Sequence, residues 1–224
     1  MNTALVLVAT GKMYHEYARQ LIASAKQYFV PHEVCLFTDS DEDFEVYKVK
    51  CPTLGYPEAT LKRYHLFLTQ ERALAKFDYV FYVDVDAKFV SSVGQEIFGP
   101  DITVVIHKGY NEHTWDWFAE HRPESSAHTG YIGRYYVGGF NGGTSKAFLG
   151  MSRAIRDAVD RDDSKGLVAR WHDESHMNRY LSEHKPSTVL SIDYGYPETD
   201  LEGYKGSPKI LFLEKGLGDR TVCG

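Results

Sequence analysis

Apolar segments alternate with amphipathic segments in the first half of the chain, and this alternation limits the possible folds more than any other feature. Residues 4–9 form an apolar run that ends at Thr10-Gly11, and apolar residues then recur at helical spacing over residues 14–29. Residues 32–38, with the sequence HEVCLFT, are then predicted to form a second buried strand. Strand, turn, helix and strand in this order are typical of a parallel α/β sheet.

The same alternation is repeated further along the chain. Residues 60–77 have helical spacing of their apolar side chains, and the apolar segment Tyr79–Val83 has the composition of a strand. In parallel sheets that are covered by helices, ligands bind beyond the carboxyl ends of the strands. Residues at those ends are therefore the first candidates for a functional site.

The second half of the chain is less regular. We predict strands at residues 103–107, 135–137 and 209–213, and helices at residues 145–161 and 173–184. The expected fold class is α/β, with a Rossmann-like, mostly parallel central sheet and helices on both faces. We expect residues 1–224 to form one domain, with a donor half at 1–90, an acceptor half at 91–214 and a tail at 215–224.

Charge and composition exclude several classes of protein. The formal net charge is -6, and the cations are interspersed with acids, so nucleic acid is not an expected partner. No apolar run reaches the roughly 20 residues of a membrane-spanning helix, and the first residues lack the charge of a secretory signal. We therefore expect a cytoplasmic protein without a transmembrane segment. Cys35, Cys51 and Cys223 are too few and too widely spaced for a disulfide framework.

Two aspartates stand directly after the strand predicted at Tyr79–Val83. In the sequence Asp84-Val85-Asp86 the carboxylates are two residues apart, so they project from the same face of an extended chain. Hard oxygen ligands of this kind suit Mg²⁺ or Mn²⁺ bound to a nucleotide diphosphate. The alternative is a solvated acidic turn.

The segment W-H-D-E-S-H, which begins at Trp171, has an unusual density of chemically active side chains. His172 and His176 are four residues apart, as in zinc hydrolases, but Asp stands at the second position and no third ligand follows at a familiar spacing. A structural alternative is that Asp173 caps a helix, Glu174 lies near its positive end, and both histidines pack in the interior.

Two further segments permit a functional and a structural interpretation. The glycines of Y-Y-V-G-G-F-N-G-G, which begins at Tyr135, allow close approach of a ligand to the backbone, but they also suit a tight bend. In the tail, Lys215 and Arg220 suit a cationic segment that folds over a diphosphate, or a frayed chain end.

Taken in order, the segments F-Y-V-D-V-D, H-R-P-E-S, Y-Y-V-G-G-F-N-G-G and W-H-D-E-S-H-M-N-R-Y-L-S-E-H-K-P resemble the family of the histo-blood-group A and B transferases and the α-1,3-galactosyltransferase. This is retaining glycosyltransferase family 6. The similarity runs from about Ala9 to Arg220. It implies a nucleotide-sugar transferase fold of the GT-A type and a short prokaryotic or viral-type member without the membrane anchor of the animal enzymes.

The resemblance also implies which residues contact the donor. Asp84 and Asp86 would hold Mn²⁺ against the UDP diphosphate, Tyr14 would pack on the uracil, and Arg63 would contact the ribose and Asp84. Some bacterial relatives have asparagine at both aspartate positions and work without metal, whereas this chain keeps both acids. The full set of residues expected at the UDP-sugar is Ala9, Thr10, Gly11, Tyr14, Arg63, Asp84, Val85, Asp86, Val137, Gly138, Gly139, Asp173, Lys215 and Arg220.

On the acceptor side, the resemblance implies that Asp173 binds donor-sugar hydroxyls and that Glu174 is the catalytic carboxylate nearest the anomeric carbon. His107, Trp171 and Tyr196 would face the acceptor. Tyr196 belongs to a Tyr-Pro pair where relatives have Trp-Asp, and Phe118 replaces a small hydroxyl residue, so this chain departs from its relatives at the acceptor. Such departures affect the identity of the acceptor more than the reaction.

The implied activity is transfer of N-acetylgalactosamine or galactose from a UDP-sugar to a β-galactoside in α-1,3 linkage, with Mn²⁺ and with retention of the anomeric configuration. The small residues Val137, Gly138 and Gly139 leave room for an acetamido group and favour UDP-N-acetylgalactosamine. The alternatives are a UDP-sugar hydrolase and a carbohydrate-binding module without catalysis.

Overall fold

A seven-stranded sheet forms the centre of the molecule. The computed structural model describes residues 1–215. Its strands, in chain order, are β1 (Thr3–Ala9), β2 (Glu33–Thr38), β3 (Tyr47–Lys50), β4 (Tyr79–Val83), β5 (Ala87–Phe89), β6 (Ile102–Ile106), β7 (Tyr136–Thr144), β8 (Thr188–Leu190), β9 (Tyr196–Pro197) and β10 (Ile210–Phe212). The large sheet has the order β3-β2-β1-β4-β7-β6-β8, and β5, β10 and β9 form a small second sheet.

Helices cover the large sheet and connect its strands. They are α1 (Lys12–Tyr28), α2 (Glu58–Leu61), α3 (Arg63–Thr69), α4 (Glu71–Leu74), α5 (Trp115–Phe118), α6 (Ser145–Asp163) and α7 (His172–Glu183). Strand β7 pairs antiparallel with both β4 and β6, while all other neighbours in the large sheet are parallel. The prediction of an α/β fold with a mostly parallel sheet is confirmed.

Each face of the large sheet is covered by its own hydrophobic core. Along β1, Leu5 and Leu7 belong to the core under α1, whereas Ala4 and Val6 belong to the core under α3 and α6. Successive side chains of a strand point to opposite faces, so a strand buried on both faces has an unbroken apolar sequence. This explains the continuous apolar run at the start of the chain.

The prediction of one continuous helix over residues 60–77 is wrong. The structure has three short helices, α2, α3 and α4, because Lys62 and Gln70 leave helical geometry with ψ angles of 2° and 20°. The spacing of apolar residues was correct, since Tyr64 and Leu74 are buried and Leu61 and Leu68 pack, partly buried, against the same core. The break at Lys62 starts α3 at Arg63, which turns its side chain towards the carboxyl end of β4.

The strand predicted at residues 135–137 continues through both glycine pairs as β7, so the tight bend is wrong. Packing explains the glycines. A Cβ atom at Gly142 would lie 2.2 Å from the Phe81 ring and 2.6 Å from the Val80 carbonyl oxygen. Glycine therefore lets β7 pass close to β4, and a glycine-rich sequence becomes the central antiparallel strand.

We expect Gly142→Ala to destabilise the protein by about 1–3 kcal/mol, since the added methyl group would overpack a rigid strand contact. Gly150→Ala is the matched control, because Gly150 lies within α6 and a Cβ there meets nothing within 4 Å. Alanine is the better helix former, so this change should stabilise by about 0.5–1 kcal/mol. Urea unfolding followed by circular dichroism measures both, and equal midpoints would contradict the packing argument.

Candidate active site

A cavity of about 540 Å³ opens at the carboxyl ends of β1 and β4. These strands are parallel neighbours, so their ends lie at the same edge of the sheet. Eight of the residues expected at the UDP-sugar line this cavity: Thr10, Gly11, Tyr14, Arg63, Asp84, Val85, Asp86 and Lys215. The structure thus brings together residues from the first turn, the D-x-D segment and the end of the described chain.

The turn after β1 is held by Asp39, which directly follows β2. Gly11 has a φ of 87°, in the left-handed region that favours glycine. Its backbone N–H donates to Asp39 Oδ1 at 3.0 Å, and Thr53 Oγ1 donates to Asp39 Oδ2 at 2.6 Å. His15 Nε2 lies 2.6 Å from Asp39 Oδ1. Burial opposes ionisation of Asp39, but hydrogen bonds from Thr53, His15 and Gly11 lower its pKa to about 2.

The two aspartates of the D-x-D segment are fixed by backbone hydrogen bonds to β7 and to the residue that follows β10. The Asp84 N–H donates to the Gly139 carbonyl at 2.8 Å, and the Asp86 carbonyl accepts from Leu213 N–H at 2.8 Å. The Asp86 side chain forms an ion pair with Lys215, with Oδ2 and Nζ 3.1 Å apart. Burial and the neighbouring charge of Asp84 raise the pKa of Asp86.

Arg63 joins the D-x-D segment to the start of α7. Its Nη1 lies 2.8 Å from Asp84 Oδ1, and its Nε lies 2.9 Å from Asp173 Oδ2. Tyr82 donates its hydroxyl to the same Asp84 oxygen. The Arg63 and Asp173 side chains are 7% and 4% exposed, so this cation neutralises carboxylates in a largely dry interior.

Asp173 is not a helix cap, so the structural alternative for this residue is wrong. Helix α7 begins at His172, and its cap residue is Trp171, whose side chain makes no capping hydrogen bond; the Ser175 hydroxyl accepts from the Trp171 N–H at 2.9 Å. Asp173 instead lies within the first turn, where Arg63 binds it. Burial raises the pKa of Asp173 to about 7, although Arg63 opposes the shift. The preceding His172 has a φ of 51°, a strained conformation for a residue with a side chain.

Glu174 faces the glycine pair of β7. The Gly138 N–H donates to Glu174 Oε2 at 2.6 Å. A Cβ atom at Gly138 would lie 3.2 Å from the Glu174 side chain, and one at Gly139 would lie 2.9 Å from Asp84 Oδ2. Two consecutive glycines therefore separate the candidate catalytic carboxylate from the first aspartate of the D-x-D segment. Burial raises the pKa of Glu174 to about 7.

A buried asparagine that sequence reasoning missed fixes α7 against β7. The Asn178 side chain accepts from Tyr136 N–H at 2.8 Å and donates to the Tyr136 carbonyl at 2.8 Å. It also donates to the Glu174 carbonyl at 3.0 Å. Asn178 is fully buried. It lies four residues after Glu174 on the apolar side of the helix, and this position could have indicated from the sequence a buried polar residue that must be hydrogen-bonded.

Aromatic side chains form a wall on the other side of Glu174. His107, Trp171 and Tyr135 all pack against Phe118, with ring centroids 4.6, 6.1 and 5.1 Å away. Burial lowers the pKa of His107 to about 4. Because His107 Nδ1 accepts from Gly109 N–H at 3.0 Å, the neutral ring has its proton on Nε2. His107 therefore presents a hydrogen-bond donor to any hydroxyl oxygen at this wall.

Three of the residues expected to contact a substrate are either buried in the structure or lie outside the described residues. Ala9 is fully buried in the core, and only its neighbours line the cavity. Tyr196 is 4% exposed, stacks on Tyr204 at 3.9 Å and has the Lys108 ammonium over its ring, which leaves little area for a ligand. Arg220 lies outside the described residues. The roles of all three stay predictions.

The histidines of the W-H-D-E-S-H segment are packed apart. His176 is 2% exposed and lies 3.7 Å from Asp162, whereas His172 packs on the Tyr56 ring at 4.8 Å. Within residues 1–215 there is no group of three or more His, Cys, Asp or Glu side chains placed to hold a metal ion. The zinc-hydrolase alternative has no support in this part of the chain.

The D-x-D segment fits a different kind of metal site. Asp84 and Asp86 line the same cavity, and their side chains are 33% and 15% exposed. Asp84 Oδ1 is bound by Arg63 and Tyr82, which leaves Oδ2 on the side of Gly139. Hard cations such as Mg²⁺ are commonly held by one or two carboxylates together with substrate phosphates. The carboxylate pair fits such an ion once a diphosphate supplies further oxygens.

Comparison with known proteins identifies the family. The profile of glycosyltransferase family 6 matches residues 58–207. The chain is 32% identical to histo-blood group ABO system transferase 1 of Rattus norvegicus, over 94% of this chain and 64% of that protein. It is 29% identical to the O-antigen biosynthesis glycosyltransferase WbnI of Escherichia coli, over 93% of this chain and 92% of that protein. The chain belongs to glycosyltransferase family 6.

These relatives differ in length. The chain spans 64% of the length of the Rattus norvegicus transferase. It is 30% identical to the globoside alpha-1,3-N-acetylgalactosaminyltransferase 1 of Gallus gallus and spans 65% of the length of that protein. The sheet and its helices agree with the GT-A fold expected from the sequence. Among residues 1–215, none of the helices has the length and apolar character needed to cross a membrane.

We expect Arg63→Met to destabilise the protein by about 3–5 kcal/mol, because it leaves the buried Asp173 and the partly buried Asp84 without their cation. Arg153→Met is the matched control, since Arg153 pairs with Glu71 at the surface, where an ion pair contributes about 1 kcal/mol or less. Urea unfolding of both variants measures the difference. Similar losses in the two variants would show that the buried ion pairs do not stabilise the fold.

Proposed function

We propose that this protein is a retaining glycosyltransferase that moves a galactose-type sugar from a UDP-sugar to a β-galactoside in α-1,3 linkage. The observation that supports it most is the glycine pair of β7. Gly138 binds the Glu174 carboxylate and Gly139 packs against Asp84, so a reacting carboxylate and a diphosphate site are neighbours. In this proposal residues 1–90 supply most donor contacts and residues 91–214 supply the acceptor wall.

The cavity beside β1 suits the nucleotide of the donor. Its walls include the Gly11 turn held by Asp39, the Tyr14 ring and Arg63. Flat aromatic rings stack on bases, and a buried cation beside Asp84 leaves further donors for a ribose or phosphate. Lys215, at the end of the described chain, would exchange its ion pair with Asp86 for the diphosphate.

A divalent ion, Mn²⁺ in this proposal, would be held by Asp84 and Asp86 and would neutralise charge on the departing UDP. The remaining steps belong to the chain itself. Asp173, fixed by Arg63, accepts hydrogen bonds from donor-sugar hydroxyls, which orients the sugar above the glycine pair. Arg63 keeps Asp84 in place while the diphosphate binds.

Glu174 stabilises the positive charge that develops at the anomeric carbon as the bond to UDP breaks. Retention follows either from a covalent bond to Glu174 and its later displacement, or from entry of the acceptor on the face that UDP leaves. Both routes require the ionised carboxylate. The Gly138 N–H opposes the effect of burial and favours that form. In both routes the diphosphate of UDP takes the proton of the acceptor hydroxyl.

The donor sugar in this proposal is N-acetylgalactosamine, with galactose as the alternative. Val137, Gly138 and Gly139 are small and leave room for an acetamido group. The structure shows a second reason why these two positions are glycine: a side chain at either one would meet Glu174, Asp84 or Phe212. Selectivity between the two sugars therefore falls on Val137, which is half-buried beside them.

We expect Glu174→Gln to lower the rate of UDP release about 100-fold or more while the Kd for UDP stays within about twofold, because the loss falls on the transition state. The measurement is UDP release from UDP-N-acetylgalactosamine and UDP-galactose with lactose as acceptor. Glu183→Gln, at the exposed end of the same helix, is the control and should keep full activity. Unchanged turnover in Glu174→Gln would remove this residue from the mechanism.

We expect Asp86→Asn to weaken binding of Mn²⁺ in the presence of UDP at least about tenfold, because the change removes a charged ligand. Titration calorimetry of Mn²⁺ into the UDP complex measures this directly. Asp157→Asn, at an exposed ion pair on α6, is the control and should bind Mn²⁺ as the unchanged protein does. Full activity of the unchanged protein in excess EDTA would contradict the metal site.

A further inference from the structure

A second cavity, of about 400 Å³, lies beside the second half of α7, and we call it the α7 cavity. Among residues 1–215, none lines both this cavity and the one at the ends of β1 and β4, which we call the donor cavity. Its walls come from the segment before β7, from α7 and from the segment between Lys185 and Val189. Its volume falls within the range of about 300–1,000 Å³ that small-molecule sites have.

The charged side chains that line the α7 cavity are both cations, Arg134 and Lys185, and both are exposed. The whole chain has a formal net charge of -6, so a cavity lined by two cations and by no described acid is a local reversal of charge. Glu183, two positions before Lys185, pairs instead with Arg179 at 2.6 Å. Within residues 1–215, no carboxylate forms an ion pair with either cation. Both charges are therefore available to an anionic ligand.

Arg134 is placed by the turn before β7. Gly133 has a φ of 76°, in the left-handed region that favours glycine, and β7 begins at Tyr136. Burial raises the pKa of Tyr136, and the nearby Arg134 guanidinium opposes that rise. Tyr136 lines the same cavity. Arg134 therefore stands beside a hydroxyl group that can also donate to an oxygen of a ligand.

Lys185 follows directly on the fixed end of α7. The His184 N–H donates to the Tyr180 carbonyl at 3.0 Å, and the two rings stack with centroids 4.1 Å apart. A cation just after a helix is stabilised by the negative end of that helix. This local effect is sufficient to explain Lys185. It does not explain Arg134, which another part of the chain brings to the same cavity.

The α7 cavity is also lined by the two residues that fix α7 to β7. The Asn178 side chain bonds both backbone groups of Tyr136 and the Glu174 carbonyl. A ligand that bound Arg134 and Lys185 together would connect the segment before β7 to the end of α7 at this junction. Occupation of the cavity would therefore stabilise the arrangement that positions Glu174, without contact with the donor cavity.

We propose that the α7 cavity binds a phosphomonoester, with Arg134 and Lys185 on the phosphate and an apolar wall on the organic part. A phosphomonoester carries about 1.5 to 2 negative charges at pH 7, which matches two cations, whereas a carboxylate would leave one cation unpaired. The planar guanidinium of arginine binds two phosphate oxygens at once, and lysine adds a point charge. Ile132, Leu181 and Val189 supply the apolar wall. The proposal does not depend on the transferase function.

Titration calorimetry with phenyl phosphate tests the proposal in protein that is saturated with UDP, so that the donor cavity is filled. The unchanged protein should bind phenyl phosphate saturably. Arg134→Gln and Lys185→Gln should each raise the Kd at least about tenfold, because each change removes a charge-assisted bond to the phosphate. Neither residue lines the donor cavity, so the variants distinguish the two cavities even if UDP does not bind. Both side chains are exposed, so both variants should fold.

Two variants with the same loss of charge elsewhere on the surface are the matched controls. Arg72→Gln on α4 and Lys146→Gln on α6 change exposed residues that do not line the α7 cavity, and both should keep the Kd of the unchanged protein. Thermal unfolding with UDP present gives a second measurement. Phenyl phosphate at ten times its Kd should raise the Tm of the unchanged protein by about 3–6 °C, and that of the Arg134→Gln, Lys185→Gln double variant by about 1 °C or less.

A free phosphate ester and the headgroup of a lipid share this chemistry, and vesicles separate the two sources. Binding of soluble phenyl phosphate that both variants weaken would assign the cavity to a free ester. Binding to phosphatidic acid vesicles but not to phosphatidylcholine vesicles, without binding of phenyl phosphate and with the same loss in both variants, would assign it to a lipid headgroup. No saturable binding of either probe, or binding that either variant keeps unchanged, would overturn the proposal.

Discussion

The ion pairs of Arg63 connect the parts of this molecule on which its chemistry depends. One guanidinium binds Asp84 at the end of β4 and Asp173 at the start of α7, and both contacts are within 3 Å. A buried cation between two carboxylates is stable only if all three groups are held in place, because any unpaired charge would remain in a dry interior. Strand β4, helix α3 and helix α7 are therefore locked together at the site.

Strand β7 supplies the second constraint, because glycines without side chains stand at the positions where other groups approach it. Gly138 and Gly139 let Glu174 and Asp84 approach the backbone from two sides, while Gly142 lets Phe81 approach it further along. The same property that weakens an isolated strand permits three close contacts here. Asn178 then fixes α7 to β7 with bonds to both backbone groups of Tyr136, so the position of Glu174 does not depend on its own short contacts alone.

Much of the fold was accessible from local patterns. Three predicted strands are present in the structure: those at residues 4–9, at residues 32–38 and at Tyr79–Val83. A strand that is covered on both faces needs an apolar sequence, and few other local structures have such a sequence. Local patterns failed where packing between residues far apart in the chain determines the local structure. The helix over residues 60–77 is divided at Lys62 and Gln70, and the glycines, for which a tight bend was one of two interpretations, form the middle of a long antiparallel strand.

The sequence by itself determined the chemical groups and the family: the D-x-D acids, the W-H-D-E-S-H segment and the resemblance that family comparison confirmed. Tertiary structure alone decided how those groups are paired. Asp39 closes the Gly11 turn, Asp173 binds Arg63 instead of capping a helix, and Asn178 fixes α7 to β7. The physical reason is that hydrogen bonds, ion pairs and burial depend on distances between residues far apart in the chain, which no local pattern contains.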